Sequence, residues 1–182
     1  MSLRLSGGRR LQSPAGTTAR PTPSRVRLAL MNILAADLPG CRWLDLCCGS
    51  GVMACEALQR GAAAVVAVDQ DRRHAAVARA NLEAVRGGLE RPVSLRVICS
   101  EVCRWLQQNE EPPFNLIYAD PPYNGGLYDR LCVAVERGGR LSAGGTLMLE
   151  YAAQSPPALP PGWRIRDQRR YGTTAVLLLQ QG

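Results

Sequence analysis

Asp120-Pro121-Pro122-Tyr123 places a carboxylate, two stiff prolines and an aromatic ring in one short stretch. It follows an apolar run, Phe114 to Ala119, that reads as a buried strand. The prolines end that strand, because neither can donate to a sheet ladder. Open α/β sheets bind ligands at the carboxyl ends of their strands. An amine held against Asp120 and the carbonyl of Pro121 meets two acceptors, and Tyr123 can stack on a planar ring. The same residues also suit an ordinary turn, so the remaining chain has to decide.

A second constellation lies upstream. Asp45-Leu46-Cys47-Cys48-Gly49-Ser50-Gly51 puts a glycine-rich turn between an expected strand and its helix. Glycine lets a backbone approach a ligand closely, and a helix N-terminus favours negative charge. Gly49 to Ala54 also fits the dinucleotide fingerprint, with Asp69 about where a ribose-binding acid belongs. Asp45 tilts the choice. A carboxylate there suits a cofactor carrying an ammonium and a sulfonium, and repels a pyrophosphate. Asp69 could hold both ribose hydroxyls, or simply serve a turn. Glu101 is placed to accept from an adenine amine, or to stabilise a helix N-terminus. A nicotinamide dehydrogenase shares the glycine turn but gives Asp120 to Tyr123 no role. It also lacks an acid/base pair beyond His74, which reads as a solvated surface residue beside Arg72 and Arg73.

The elements that must position these groups alternate. Strands are expected at Cys41 to Cys48, Ala63 to Val68, Val93 to Cys99, Phe114 to Ala119 and Gly145 to Tyr151. Helices are expected at Val52 to Arg60, Arg72 to Arg86, Val102 to Gln108 and Leu127 to Arg137, preceded by one starting near Thr22-Pro23-Ser24. This alternation means βαβ units and a parallel sheet. Trp163 to Arg169 and Thr173 to Leu179 read as an antiparallel hairpin closing one sheet edge. Residues 1–23 form a basic arm, with Ser6-Gly7-Gly8 as a hairpin turn, that orders on a partner. Residues 24–182 form a single domain.

Composition bounds the partners. The net charge is +7, all 22 basic residues are arginine, and residues 1–36 carry six arginines and no acid. That points to a polyanion. A chain of 182 residues buries roughly 70% of its unfolded surface and needs no staple. Seven cysteines without a CxxC pair argue against zinc and for reduced thiols in a cytoplasm. No apolar run is long enough to span a membrane, and no signal-peptide core is expected.

Taken together, the acid and glycine turn after the first strand, the acid after the second and DPPY after the fourth resemble class I S-adenosylmethionine-dependent amino-methyltransferases. One family is similar in detail: the bacterial 16S rRNA guanine-N2 methyltransferases, the rRNA small subunit methyltransferase D family. The similar stretches are Arg4 to Gly8, Arg20-Pro21-Thr22, Arg25-Val26-Arg27, Leu30 to Leu34, Asp45 to Gly51, Cys55 to Ala62, Asn81-Leu82, Asp120 to Tyr123, Glu150 and Tyr171 to Thr174. They run nearly the whole chain. Departures are a thinner basic cluster at Leu11 to Pro14, Glu101 where Asp or Asn is common, and the pair Cys47-Cys48, for which packing is expected.

The resemblance implies an α/β class I methyltransferase, Rossmann-like fold: a mostly parallel seven-stranded sheet, helices on both faces and a C-terminal antiparallel hairpin. It implies S-adenosylmethionine as cofactor, S-adenosylhomocysteine as product and no metal. Asp45, Cys47, Gly49, Ser50, Gly51, Asp69 and Glu101 would hold the cofactor. Asp120, Pro121, Pro122 and Tyr123 would carry the chemistry. Arg4, Arg9, Arg10, Arg20, Thr22, Arg25, Tyr171 and Thr173 would contact RNA. The expected partner is 16S rRNA in an assembling small subunit, and the expected state a monomer. Alternatives are an amino-methyltransferase acting on adenine or protein glutamine, and an RNA-binding module without activity.

Overall fold

The structure, a computed structural model, describes residues 3–14, 23–108, 110–122 and 126–182. Arg20, Thr22 and Tyr123 lie outside the described residues. Among the described residues the elements are α1 (Ser24–Ile33), β1 (Arg42–Leu46), α2 (Val52–Gln59), β2 (Ala64–Asp69), α3 (Arg72–Arg86) and β3 (Ser94–Cys99), then α4 (Val102–Gln108), β4 (Phe114–Ala119), α5 (Leu127–Arg137), β5 (Leu141–Ala152), β6 (Trp163–Tyr171) and β7 (Thr174–Gln181).

They build a seven-stranded sheet in the order β3-β2-β1-β4-β5-β7-β6, parallel from β3 to β5. The central strands are nearly continuous apolar runs because helices cover both faces. One face packs against α1, α2 and α3 through Val26, Leu30, Met53, Leu58, Ala78 and Leu82. The other packs against α4 and α5 through Val102, Leu106, Leu131 and Val135. The strand order reverses between β1 and β4, so the crevice for a ligand opens at their carboxyl ends.

Two elements depart from the sequence expectation. β1 stops at Leu46 because Cys47 takes φ 57°, a left-handed conformation that costs a non-glycine residue roughly 1–2 kcal/mol. β5 starts four residues early. Leu141 pairs with Phe114, and the ladder then shifts register before Leu116 meets Thr146, with Gly144 at φ 72° in the irregular segment. In the C-terminal hairpin it is β7 that pairs with β5, which leaves β6 as the edge. β7 is almost wholly buried. β6 exposes Arg164, Arg166, Arg169 and Arg170, the charged dressing that keeps a sheet edge from pairing with another chain.

Residues 3–14 do form a hairpin, with Arg4 bridged to Arg10 and Gly8 N donating to Leu5 O at 2.9 Å. Its Leu5 and Leu11 are buried in the core beside α2 and α3. This part of the arm is therefore seated on the body of the protein without a partner.

Candidate active site

Asp45 lies next to last in β1, and its neighbour Leu46 pairs with Ala119, the last residue of β4. Asp120 follows, its N–H donating to Leu46 O at 3.4 Å. The parallel register thus sets the glycine turn and the DPP segment side by side at one sheet edge. Asp69 closes β2 at the same edge, and Glu150 lies towards the end of β5.

The loop after β1 is shaped by its neighbours. Asp45 is 1% exposed, and its carboxylate accepts from Ala54 N in the first turn of α2 at 3.1 Å. Asp69 accepts from Gly49 N at 2.9 Å through Oδ2 and from Asp71 N at 2.9 Å through Oδ1. It therefore holds the turn's backbone through both oxygens. Gly51 is irreplaceable for two reasons: φ is 73°, and a Cβ there would sit 3.1 Å from Ala78 Cβ on α3. At Gly49 a Cβ would meet nothing within 4 Å, so the turn is open on that side. Ser50 is buried.

The electrostatics are one-sided. Burial, and then the charge of Asp69, push the Asp45 carboxyl well above its ordinary range, although the Ala54 N–H pulls it back. Burial, Glu150 and Asp45 push up Asp120. Burial and the charges of Asp69, Asp120 and Asp45 push the Cys47 thiol up as well, which keeps it protonated and unreactive. Among the described residues no arginine pairs with Asp45, Asp69 or Asp120. His74 is not simply solvated: its Nδ1 lies 3.5 Å from Asp69 Oδ1. Such a set of acceptors suits a cationic ligand better than a pyrophosphate, which counts against the dinucleotide reading. An ammonium and a sulfonium are the charges that S-adenosylmethionine brings.

Other expected site residues are placed as follows. Glu101 accepts from Cys103 N at 3.1 Å and Arg104 N at 2.7 Å, so it caps α4. Burial opposes its ionisation, but these two bonds hold its carboxyl below the ordinary range. Pro121 is buried and Pro122 exposed. Arg4, Arg10 and Arg25 are exposed. Arg9 is also exposed, but it donates to Ala84 O at 2.7 Å, so its guanidinium is partly spent on α3. Arg25 Nη2 reaches within 3.7 Å of where a Gly172 Cβ would stand, which joins the start of α1 to the β6–β7 turn. Tyr171 packs on the core, and Thr173 is exposed with its carbonyl accepting from Ala153 N at 2.9 Å.

Three residues lie in the stretches that carry the resemblance but have no role assigned there. Glu150 is 2% exposed and its carboxylate accepts from Tyr118 O–H. Glu56 is fully buried against Arg27 at 3.0 Å. Asn81 is buried on α3 with its amide bonded to Gln12 and Ser50. A polar residue at a buried helix position was the available signal for Glu56 and Asn81. Among the described residues no cluster of His, Cys, Asp and Glu could hold a metal ion.

Comparison with known proteins bears on the whole chain. A family model described as conserved hypothetical protein 95 matches residues 5–180. The chain is 30% identical over 175 residues to the ribosomal RNA small subunit methyltransferase D of Escherichia coli strain K12, covering 96% of this chain and 85% of that protein. It is 28% identical over 177 residues to the putative rRNA methyltransferase YlbH of Bacillus subtilis strain 168, covering 96% and 94%. The solved structure of the putative methyltransferase yhhF from Escherichia coli matches with a TM-score of 0.84 and 29% identity, covering 100% of this chain and 98% of that one. With that fold and that carboxylate edge, the chain belongs to the conserved hypothetical protein 95 family, that of the rRNA small subunit methyltransferase D proteins.

Proposed function

We propose that the protein transfers the methyl group of S-adenosylmethionine to the exocyclic N2 amine of a guanine in 16S rRNA, within an assembling small subunit. The observation that carries this is the adjacency of Asp120 and the Asp45 turn across the β1–β4 register. When bound, S-adenosylmethionine supplies a methyl carbon already activated by its sulfonium.

The chain's residues supply the rest. Asp45 and Asp69 hold the cationic and ribose parts, with the open side of Gly49 admitting the ligand backbone. Glu101 faces the same edge while capping α4. The amine of a guanine is a poor nucleophile because its lone pair is conjugated into the ring. Asp120 and the Pro121 carbonyl each accept one amine hydrogen, aim the lone pair and stabilise the positive charge that grows on nitrogen. Asp120 is then placed to take the proton. A cation at this edge also draws the carboxyls of Asp45 and Asp120 back towards ionisation, which Asp120 needs in order to accept. Tyr123 stacks on the flipped base and offsets part of its unstacking.

Arg4, Arg9, Arg10, Arg20, Thr22, Arg25, Tyr171 and Thr173 contact the RNA. Among the described residues the exposed guanidiniums of Arg10 and Arg25 suit phosphate contacts, while Arg4 and Arg9 are partly engaged by Gly8 O and Ala84 O.

The test is methyl transfer from labelled S-adenosylmethionine to small subunits from cells lacking the endogenous methylase, followed by mass spectrometry of the nucleosides. N2-methylguanosine in 16S rRNA is expected. Methyladenosine would keep the chemistry and overturn the base assignment, and label in protein or DNA alone would overturn the RNA substrate.

A further inference from the structure

Asn81 is 3% exposed on α3, and its amide is divided between two separate pieces of chain. Oδ1 accepts from Gln12 N at 2.8 Å and Nδ2 donates to Gln12 O at 3.0 Å, a two-bond clasp on the exit of the N-terminal hairpin. The same Nδ2 donates to Ser50 O at 2.9 Å, inside the glycine turn. A second tie holds the hairpin's tip, where Ser6 N donates to Glu56 Oε1 at 2.9 Å and Ser6 Oγ to Glu56 Oε2 at 2.7 Å. α2 and α3 pack closely beside the turn, where a Cβ on Gly51 would stand 3.1 Å from Ala78 Cβ.

We propose that Asn81 is a positioning residue that couples the arginine-bearing hairpin to the glycine turn, so that filling the cofactor site stiffens the surface that receives RNA. This rests on the S-adenosylmethionine site proposed above. A displaced Ser50 carbonyl must either carry Asn81 with it or leave a buried N–H unpaired, and an unpaired buried donor is costly. A ligand that holds the turn in one place therefore favours the clasped hairpin. By linkage, whatever holds the hairpin favours the loaded turn. Arg4 and Arg10 are paired across the hairpin and exposed, and the clasp adds to the bond that Arg27 makes to Arg4 O. The coupling orders binding: a loaded protein presents a stiffer basic surface than an empty one.

The experiment is hydrogen exchange at the amides of Leu5 and Leu11, whose bonds to Arg9 O and Leu3 O keep the hairpin closed. Exchange is followed with and without saturating S-adenosylhomocysteine, whose binding is measured by calorimetry. In the unmodified protein the ligand should slow exchange roughly tenfold. Ser6→Ala removes the Oγ bonds of the tip tie, keeps the Ser6 N–H bond to Glu56 and spares Asn81, so the slowing should persist there. Asn81→Ala should abolish it while the ligand still binds. Gln12→Pro removes the hairpin's N–H donor to Asn81 and fixes φ there while leaving the Gln12 O bond, so it should weaken the slowing even if Asn81→Ala does not fold. Slowing that persists undiminished in Gln12→Pro, or persists in folded Asn81→Ala, overturns the proposal, as does bound ligand without slowing in the unmodified protein. Failure of the ligand to bind at all overturns the cofactor site, and the coupling with it.

Discussion

On α2, fully buried Glu56 is met by Arg27 Nε at 3.0 Å and by Ser6 N and Oγ. At the carboxyl edge of the sheet, Asp45 and Asp120 are packed near Asp69 and Glu150, and no arginine pairs with either among the described residues. Both regions bury carboxylates, but only the first supplies its own cation. A buried charge left alone is costly, so a chain keeps one where something else will supply the compensation. The difference teaches which carboxylates hold the molecule together and which await a ligand.

Breaking the first region should have the largest effect. Arg27→Met takes the nearest cation from buried Glu56, leaving Arg60 Nε at 3.8 Å and the Ser6 donors, also removes the bond from Arg27 to Arg4 O, and should cost about 3 kcal/mol of stability. Urea unfolding measures this, and a loss under 1 kcal/mol would mean the two regions are not different in kind.

Asp120→Ala should act in the opposite manner. Methyl transfer should fall by about 10²- to 10³-fold, while the unfolding midpoint holds or rises because a like charge has left the edge. Turnover near that of the unmodified protein would remove Asp120 from the mechanism.

Asp45→Asn sharpens the contrast most finely. The Asp45 carboxyl is raised above the ordinary 3.8 in the folded chain. Between those two values the folded chain keeps a proton that the unfolded chain has lost, so Asp45's contribution to stability falls as pH rises. Asparagine does not titrate. The variant's advantage without ligand should thus be absent in acid and grow to on the order of 1 kcal/mol near neutral pH. Its affinity for S-adenosylmethionine should drop roughly tenfold or more. Thermal melts across pH and calorimetry check the two halves, and a variant less stable at neutral pH would break the comparison.

Much of this was readable along the chain. The apolar runs of β2 and β4, the glycine turn and the DPP breaker are local signals, because strand burial, positive φ and a missing N–H each act on neighbouring residues. Cys47 was not readable in the same way. A cysteine carries no mark of a left-handed φ, which the surrounding strands impose. Glu101 carried two readings, and the structure shows a cap on α4 whose bonds do not exclude a ligand. Arg9 read as one more arm arginine, but α3's Ala84 carbonyl lies within its reach.

By itself the sequence determined the element order, the parallel core and the chemical types at the carboxylate edge, since periodicity and turn chemistry are encoded within a few residues. Only the tertiary structure decided which residues meet across long separations. Glu56 meets Ser6 and Arg27, Asn81 meets Gln12 and Ser50, and β7 lies between β5 and β6. Those contacts follow from how helices seat on a closed core, and no local pattern specifies a partner 30 to 70 residues away.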